Sequence, residues 1–67
     1  MTKAEAKKFL SEALKHVESK SIRAWATSER NFPIWIEITK SWLERGGPSE
    51  ETRMRLTIDI VSQAIGL

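Results

Sequence analysis

The sequence of 67 residues contains no cysteine, one histidine, three glycines and two prolines. Without cysteine, the chain has no disulfide framework, no thiolate ligand for a metal and no cysteine nucleophile. The single histidine, His16, excludes a histidine-rich metal site. The fold must therefore be stabilised by its apolar core, with self-association as an additional source of stability.

The chain also lacks a long apolar run. No stretch of uncharged apolar residues approaches the roughly 20 residues that a helix needs to cross a bilayer. Residues 1–8 contain no apolar block of the kind found in a signal peptide. These absences predict a cytoplasmic protein that does not enter a membrane, and the length predicts one small domain, 1–67.

The chain also has no large excess of either positive or negative charge. Eleven Lys and Arg residues stand against nine Asp and Glu residues, so the net charge is +2. Residues 1–40 carry eight basic and five acidic side chains, and residues 41–67 carry three and four. This weakly basic first half permits contact with nucleic acid but does not require it.

Groups that carry chemistry are few. Gly46-Gly47 is followed by proline and serine, which is not the pattern of a phosphate-binding loop. A Ser-His-Asp triad would need His16 and Asp59, the only histidine and the only aspartate, and two such single residues are weak evidence. The sequence therefore predicts a non-enzymatic protein with no catalytic residue, no cofactor, no metal and no small-molecule substrate.

Residues 3–18 have the pattern of an amphipathic helix. Thr2 is expected to cap its first turn, with Glu5 completing a capping box. The apolar residues recur at intervals of three and four, as on one face of a helix. They are Ala6, Phe9, Leu10, Ala13, Leu14 and Val17.

The stretch 22–39 is rich in β-branched residues and predicts a β-hairpin that turns over residues 29–31. In the register that fits best, the numbers of paired residues sum to 60. One face would pair Ile22 with Ile38, Ala24 with Ile36 and Ala26 with Ile34. The other face would pair Arg23 with Glu37 and Trp25 with Trp35.

A helical interpretation of the same stretch competes with the hairpin. Ser21 would cap a short helix, and Pro33 would open a second helix that runs to Arg45. The hairpin gives an α+β fold, with an N-terminal helix, the hairpin, a short helix and a C-terminal helix. The alternative is an all-α bundle of three or four helices.

The last part of the chain is expected to be helical on both sides of a glycine boundary. A short helix over 39–45 is ended by Gly46 in the left-handed conformation, and Pro48 prevents its continuation. Ser49 then caps a final helix, which is apolar on two sides. The first stripe contains Met54, Ile58, Val61 and Ile65, and the second contains Leu56, Ile60, Ala64 and Leu67. The alternation of polar and apolar residues over 53–60 leaves a strand as the alternative.

Two surfaces follow from these predictions as candidates for binding a partner. The hairpin would leave uncovered the face that carries Arg23, Trp25, Trp35 and Glu37, which we call the Trp/Arg face. Tryptophan and arginine are the residue types that dominate binding hot spots. The second stripe of the final helix would support a homodimer. The predicted partner-binding residues are Arg23, Trp25, Arg30, Trp35, Glu37, Leu56 and Ile60. The sequence thus predicts a small interaction module, of the regulatory, accessory or inhibitor kind, that binds another protein or itself.

The alternative function is nucleic-acid binding. In that case Trp25 and Trp35 would stack on unpaired bases, and Arg23, Arg30 and Lys40 would contact phosphates.

Overall fold

The computed structural model describes residues 2–47 and 49–66. Over these residues the chain forms four α-helices, with no strand among them. They are α1 (Lys3–Leu14), α2 (Lys20–Ala26), α3 (Phe32–Gly46) and α4 (Glu50–Ala64). The predicted α+β class is therefore wrong, and the all-α alternative fits.

The two predicted N-terminal caps are confirmed. The Thr2 hydroxyl accepts a hydrogen bond from the Glu5 backbone N–H at 3.2 Å and donates to the Glu5 carboxylate at 3.1 Å. The Ser49 hydroxyl accepts from the Thr52 N–H at 3.2 Å, at the start of α4. Each cap satisfies an N–H group that has no partner within the helix. Helix α1 nevertheless ends at Leu14, four residues before the predicted end at 18.

Replacing Ser49 with alanine is expected to lower the free energy of unfolding by about 1 kcal/mol, because the Thr52 N–H loses its acceptor. Urea denaturation followed by circular dichroism would measure the change. Ser41→Ala is the matched control, since Ser41 is exposed in the interior of α3. Equal effects of the two substitutions would contradict a capping role for Ser49.

The predicted hairpin is replaced by two helices joined by a turn. Residues 22–26 lie in α2, which is capped by Ser19 rather than Ser21: the Ser19 hydroxyl accepts from the Ile22 N–H at 3.3 Å. Residues 34–39 lie in α3, and Pro33 falls in its first turn. A proline there is favourable because the first N–H groups of a helix lack a partner in any case.

A helical stripe on α3 explains why this segment is not a strand. Its apolar and small side chains recur at intervals of three and four along the face that packs on the core. The stripe contains Phe32, Trp35, Ile36, Thr39, Trp42 and Leu43. Burial of this face outweighs the modest β preference of Ile34, Ile36 and Ile38. The one polar member is satisfied locally, since the Thr39 hydroxyl donates to the Trp35 carbonyl at 2.7 Å.

The boundary between α3 and α4 was predicted one residue early. Gly46 is the last residue of α3, and Gly47 takes the positive φ of 73°. Only glycine adopts this conformation without a steric penalty. The predicted helix over 39–45 is the second half of α3, and Pro48 lies outside the described residues.

The core lies where α1 packs against α3 and α4, with α2 packed on α4. Its fully buried members include Leu10, Ala13, Leu56 and Ile60. The Thr57 hydroxyl links two of these helices, since it donates to the Arg53 carbonyl at 2.8 Å and also approaches the Ala13 carbonyl at 3.4 Å. The final element is thus a helix, and the strand alternative over 53–60 is wrong. Across residues 2–47 and 49–66, no helix combines the length and the apolar character that spanning a bilayer would need.

Candidate functional site

Trp25 and Trp35 do meet, but as part of the core and not on an open face. Their ring centroids are 6.1 Å apart and their planes are inclined by 65°, which is an edge-to-face contact. Trp35 is 2% exposed, and Trp25 is half-buried against the core cluster. The contact joins α2 to α3. The pair therefore offers no stacking platform for two bases.

The charged residues predicted beside these tryptophans lie apart from one another. Arg23 is half-buried on α2, and its Nε is buried with no hydrogen-bond partner among the described residues. Arg30 is exposed in the turn before α3. Glu37 is exposed on α3 and pairs with Lys3 at 3.4 Å, where the hairpin would have paired it with Arg23. The predicted Trp/Arg face does not form.

Leu56 and Ile60, the residues predicted to bind a partner from α4, are both 0% exposed. They belong to the core cluster, together with Leu10 and Trp35. The second stripe of α4 therefore faces inward in this fold and is not available to another molecule. Leu67, the last member of that stripe, lies outside the described residues.

The first stripe of α4 faces solvent instead. Met54 and Ile58 are each 62% exposed and Ile65 is 59% exposed, while Val61 is half-buried at the edge of the core. We call these four residues the α4 seam. Large apolar side chains that are exposed singly are common, but an aligned group on one helix face marks a candidate contact surface.

A shallow cavity of about 200 Å³ lies beside the amino-terminal half of the seam. Its wall combines the end of α1 with the outer face of α4. The lining residues are His16, Glu50, Arg53, Met54, Thr57 and Ile58. The surface therefore has a hollow next to Met54 and Ile58, and exposed apolar side chains continue beyond it towards Ile65.

Charges frame the seam at its amino-terminal end. Glu50 and Glu51 lie in the first turn of α4, where the helix dipole favours anions, and Glu50 forms an ion pair with Arg53. Within the described residues, Arg55 forms no ion pair with Glu51 or Asp59, although each lies four positions away. On α1, the Lys15 ammonium donates to the Glu12 carboxylate at 3.1 Å, and this hydrogen bond lowers the pKa of Glu12.

Within the described residues, no three His, Asp or Glu side chains are grouped so that they could hold a metal ion. No known protein family matches this chain, and neither comparison with curated proteins nor comparison with solved structures gives a match. What the chain does must therefore be inferred from its own surface.

The sequence pattern did contain the seam, since its four residues form the first of the two predicted stripes. What it lacked was a signal for which stripe packs inward, because both stripes are apolar over the same part of the chain. The spacing of the seam residues, at four, three and four, is a further signal. That spacing is the a/d repeat of a coiled coil.

Proposed function

We propose that this protein is a non-enzymatic interaction module that binds a second copy of itself through the α4 seam. The observation that supports it is the exposure of Met54 and Ile58 on α4 and of Ile65 directly after it, each more than half exposed. An apolar a/d seam on a helix is normally covered by a matching helix.

The seam matches itself when a second copy runs antiparallel. Its spacing of four, three and four residues is the same in both directions. A two-fold axis between positions 59 and 60 therefore puts Met54 opposite Ile65 of the partner subunit, and Ile58 opposite Val61 of the partner subunit. Such an isologous contact closes on itself and gives a dimer.

The cavity beside the seam fits the same arrangement. Because Met54 lines that cavity, Ile65 of the partner subunit would lie at its mouth. Ile65 is itself 59% exposed and free to enter a hollow. The two-fold axis repeats this contact at the other end of the interface. Each subunit thus contributes one projecting isoleucine and one receiving cavity.

Charge favours the antiparallel pair over the parallel one. In a parallel pair, Glu50 and Glu51 would each approach the same glutamates of the other copy, and like charges in contact weaken association. In the antiparallel pair these glutamates lie towards the other end of the partner helix, apart from the same glutamates of that copy.

The interface is small, so the dimer is expected to be weak. The seam would bury on the order of 400 Å² per subunit, about half of what a stable complex typically buries. A dissociation constant of about 0.1–1 mM is in keeping with that area. Such a dimer forms and dissociates with local concentration, as is useful in a regulatory or accessory protein.

Sedimentation equilibrium tests this proposal. The average mass should rise from monomer towards dimer between about 10 μM and about 1 mM, the range that brackets the expected dissociation constant. Ile58→Glu should abolish the rise while the helical circular dichroism is retained, because Ile58 is exposed. Ile34→Glu is the matched control: Ile34 is 55% exposed on α3, away from the seam, and its substitution should leave the rise unchanged.

A wild-type chain that stays monomeric over this range would overturn the proposal, as would equal effects of the two glutamate substitutions. The orientation can be tested separately, because a single introduced cysteine is labelled uniquely in a chain without cysteine. Nitroxides at Glu51→Cys should lie about 25 Å apart along the axis in the antiparallel dimer, from the rise of about 1.5 Å per residue. A separation of about 10 Å, the distance between packed helix axes, would indicate the parallel pair.

A further inference from the structure

A second cavity, of about 350 Å³, lies where α3 ends and α4 begins. Trp42, Arg45 and Gly46 line it from α3, and Thr52 and Arg55 line it from α4. None of these residues belongs to the α4 seam. Its volume is at the lower end of the range typical of small-molecule sites.

The two arginines make this cavity strongly cationic. Arg45 and Arg55 are both exposed, and neither forms an ion pair within the part of the chain that the structure describes. No carboxylate is among the lining residues. Glu51 and Asp59 precede and follow Arg55 by four residues, yet neither lies within ion-pair distance of it. Two guanidinium groups, each with a planar set of N–H donors suited to an oxyanion, thus line the same cavity.

Trp42 supplies an apolar wall beside these cations. Its side chain is half-buried: part of it packs against the core cluster, and part lines the cavity. An indole that is fixed on one side by packing offers a preformed surface for an aromatic ring. The cavity thus combines a flat apolar wall with a doubly cationic edge.

Gly46 and Thr52 line the cavity close to one another. Gly46 has no side chain, and a Cβ added there would lie 3.9 Å from the Thr52 hydroxyl oxygen, at ordinary contact distance. The backbone at Gly46 does not have a positive φ, so alanine would be accepted in the helix and its methyl group would reduce the space next to Thr52.

We propose that this cavity binds a small aromatic oxyanion. The planar ring would lie against Trp42, and a phosphate or carboxylate attached to it would be held by Arg45 and Arg55. The site binds such a ligand without reacting with it, and it goes beyond the proposed dimer, since the two surfaces share no residue.

Titration of ¹⁵N-labelled protein with phenyl phosphate tests this proposal. The Trp42 indole N–H and the Arg45 and Arg55 Nε–H signals should shift together and saturate, with a dissociation constant of about 1 mM, as expected for a ligand of this size in an open site. Inorganic phosphate and phenol each carry half of the ligand, and both should bind at least about tenfold more weakly. A parallel titration with benzoate, which carries a carboxylate in place of the phosphate, distinguishes the two oxyanions. The ligand that binds more tightly indicates which group the site prefers.

Substitutions make the test specific to the cavity. Arg55→Gln should weaken phenyl phosphate binding about tenfold, as expected for loss of one charge-assisted contact. Arg30→Gln, at an exposed arginine outside the cavity, is the matched control and should leave binding unchanged. Gly46→Ala should also weaken binding while the chain stays folded, because the added methyl group occupies part of the site.

Three results would overturn the proposal. The first is the absence of saturable shifts at Trp42, Arg45 and Arg55 with phenyl phosphate and with benzoate. The second is equal binding of inorganic phosphate, and the third is equal loss in Arg55→Gln and Arg30→Gln; either would show only a general attraction of anions to a basic surface. None of these results bears on the dimer, which sedimentation tests in the absence of these ligands.

Discussion

Trp35→Ala is expected to leave the chain largely unfolded at room temperature. Trp35 is the largest side chain in the core and is only 2% exposed. Truncating a buried tryptophan to alanine typically costs about 3–5 kcal/mol. A single hydrophobic core in a chain of fewer than about 70 residues rarely supplies more than about 3–5 kcal/mol, so the loss removes most or all of the stability. Thermal denaturation followed by circular dichroism, with urea denaturation where a folded baseline remains, would measure the effect.

The neighbouring Ile34→Ala is the control for this prediction. Ile34 is 55% exposed, and its truncation should change the free energy of unfolding by less than about 0.5 kcal/mol. The hairpin predicts the opposite order, because it puts Ile34 on the face covered by helices and Trp35 on the open face. A larger loss in Ile34→Ala than in Trp35→Ala would therefore contradict the helical structure of this segment.

Leu56→Ala is expected to lower the free energy of unfolding by about 3–5 kcal/mol, whereas Ile58→Ala should change it by less than about 0.5 kcal/mol. Leu56 is 0% exposed, while Ile58 is 62% exposed on the α4 seam. Urea denaturation at low micromolar concentration, where the weak dimer is dissociated, would measure both effects. The comparison is sharp because residues two positions apart lie on opposite sides of a helix but on the same side of a strand.

Similar losses in the two variants would contradict the helical α4 and restore the strand alternative over 53–60.

The burial of Leu56 also changes the outcome expected for Leu56→Glu. If Leu56 bound a partner, as the sequence predicted, this substitution would separate a dimer and leave a folded monomer. With Leu56 fully buried, a carboxylate there has no solvent and no partner, so the chain should unfold instead.

The starts of α1 and α4 and the end of α3 were the most predictable parts of this fold. Thr2 with Glu5, and Ser49 with Thr52, form caps that depend only on residues three positions apart. The Gly46-Gly47 boundary was also recognisable, to within one residue, because positive φ favours glycine. These signals are local, so they act in the same way whatever the rest of the chain does.

The hairpin was wrong because two periodic patterns overlap in one segment. Isoleucines at 34, 36 and 38 alternate as in a strand, while Trp35, Thr39 and Leu43 recur every four residues as in a helix. Both patterns are short. The strand propensities of the different residue types span only about 1 kcal/mol, which is too little to decide the conformation of the segment. The helix is favoured because it buries Trp35 against α1 and α4. That contact involves residues distant in sequence, so the local pattern does not contain it.

The stripe of α4 that the sequence predicted for a partner is the one that packs inward. Leu56 and Ile60 were chosen for a partner, and they pack in the core, while Met54, Ile58 and Ile65 face solvent. The two stripes are too similar in apolar character for the sequence alone to indicate which one is buried. The cavity between Trp42, Arg45 and Arg55 was equally hidden, because it brings together the ends of two separate helices.

By itself, the sequence determined the helix caps, the glycine boundary, the scarcity of reactive groups and the presence of two apolar stripes on α4. Each of these depends on residue types or on spacings within one turn or two. Only the tertiary structure decided that residues 22–39 are helical, that Trp25 and Trp35 meet in the core, and which stripe remains exposed. The physical reason is that burial is a property of the assembled helices: a side chain is buried only where another element covers it, and no local pattern specifies that element.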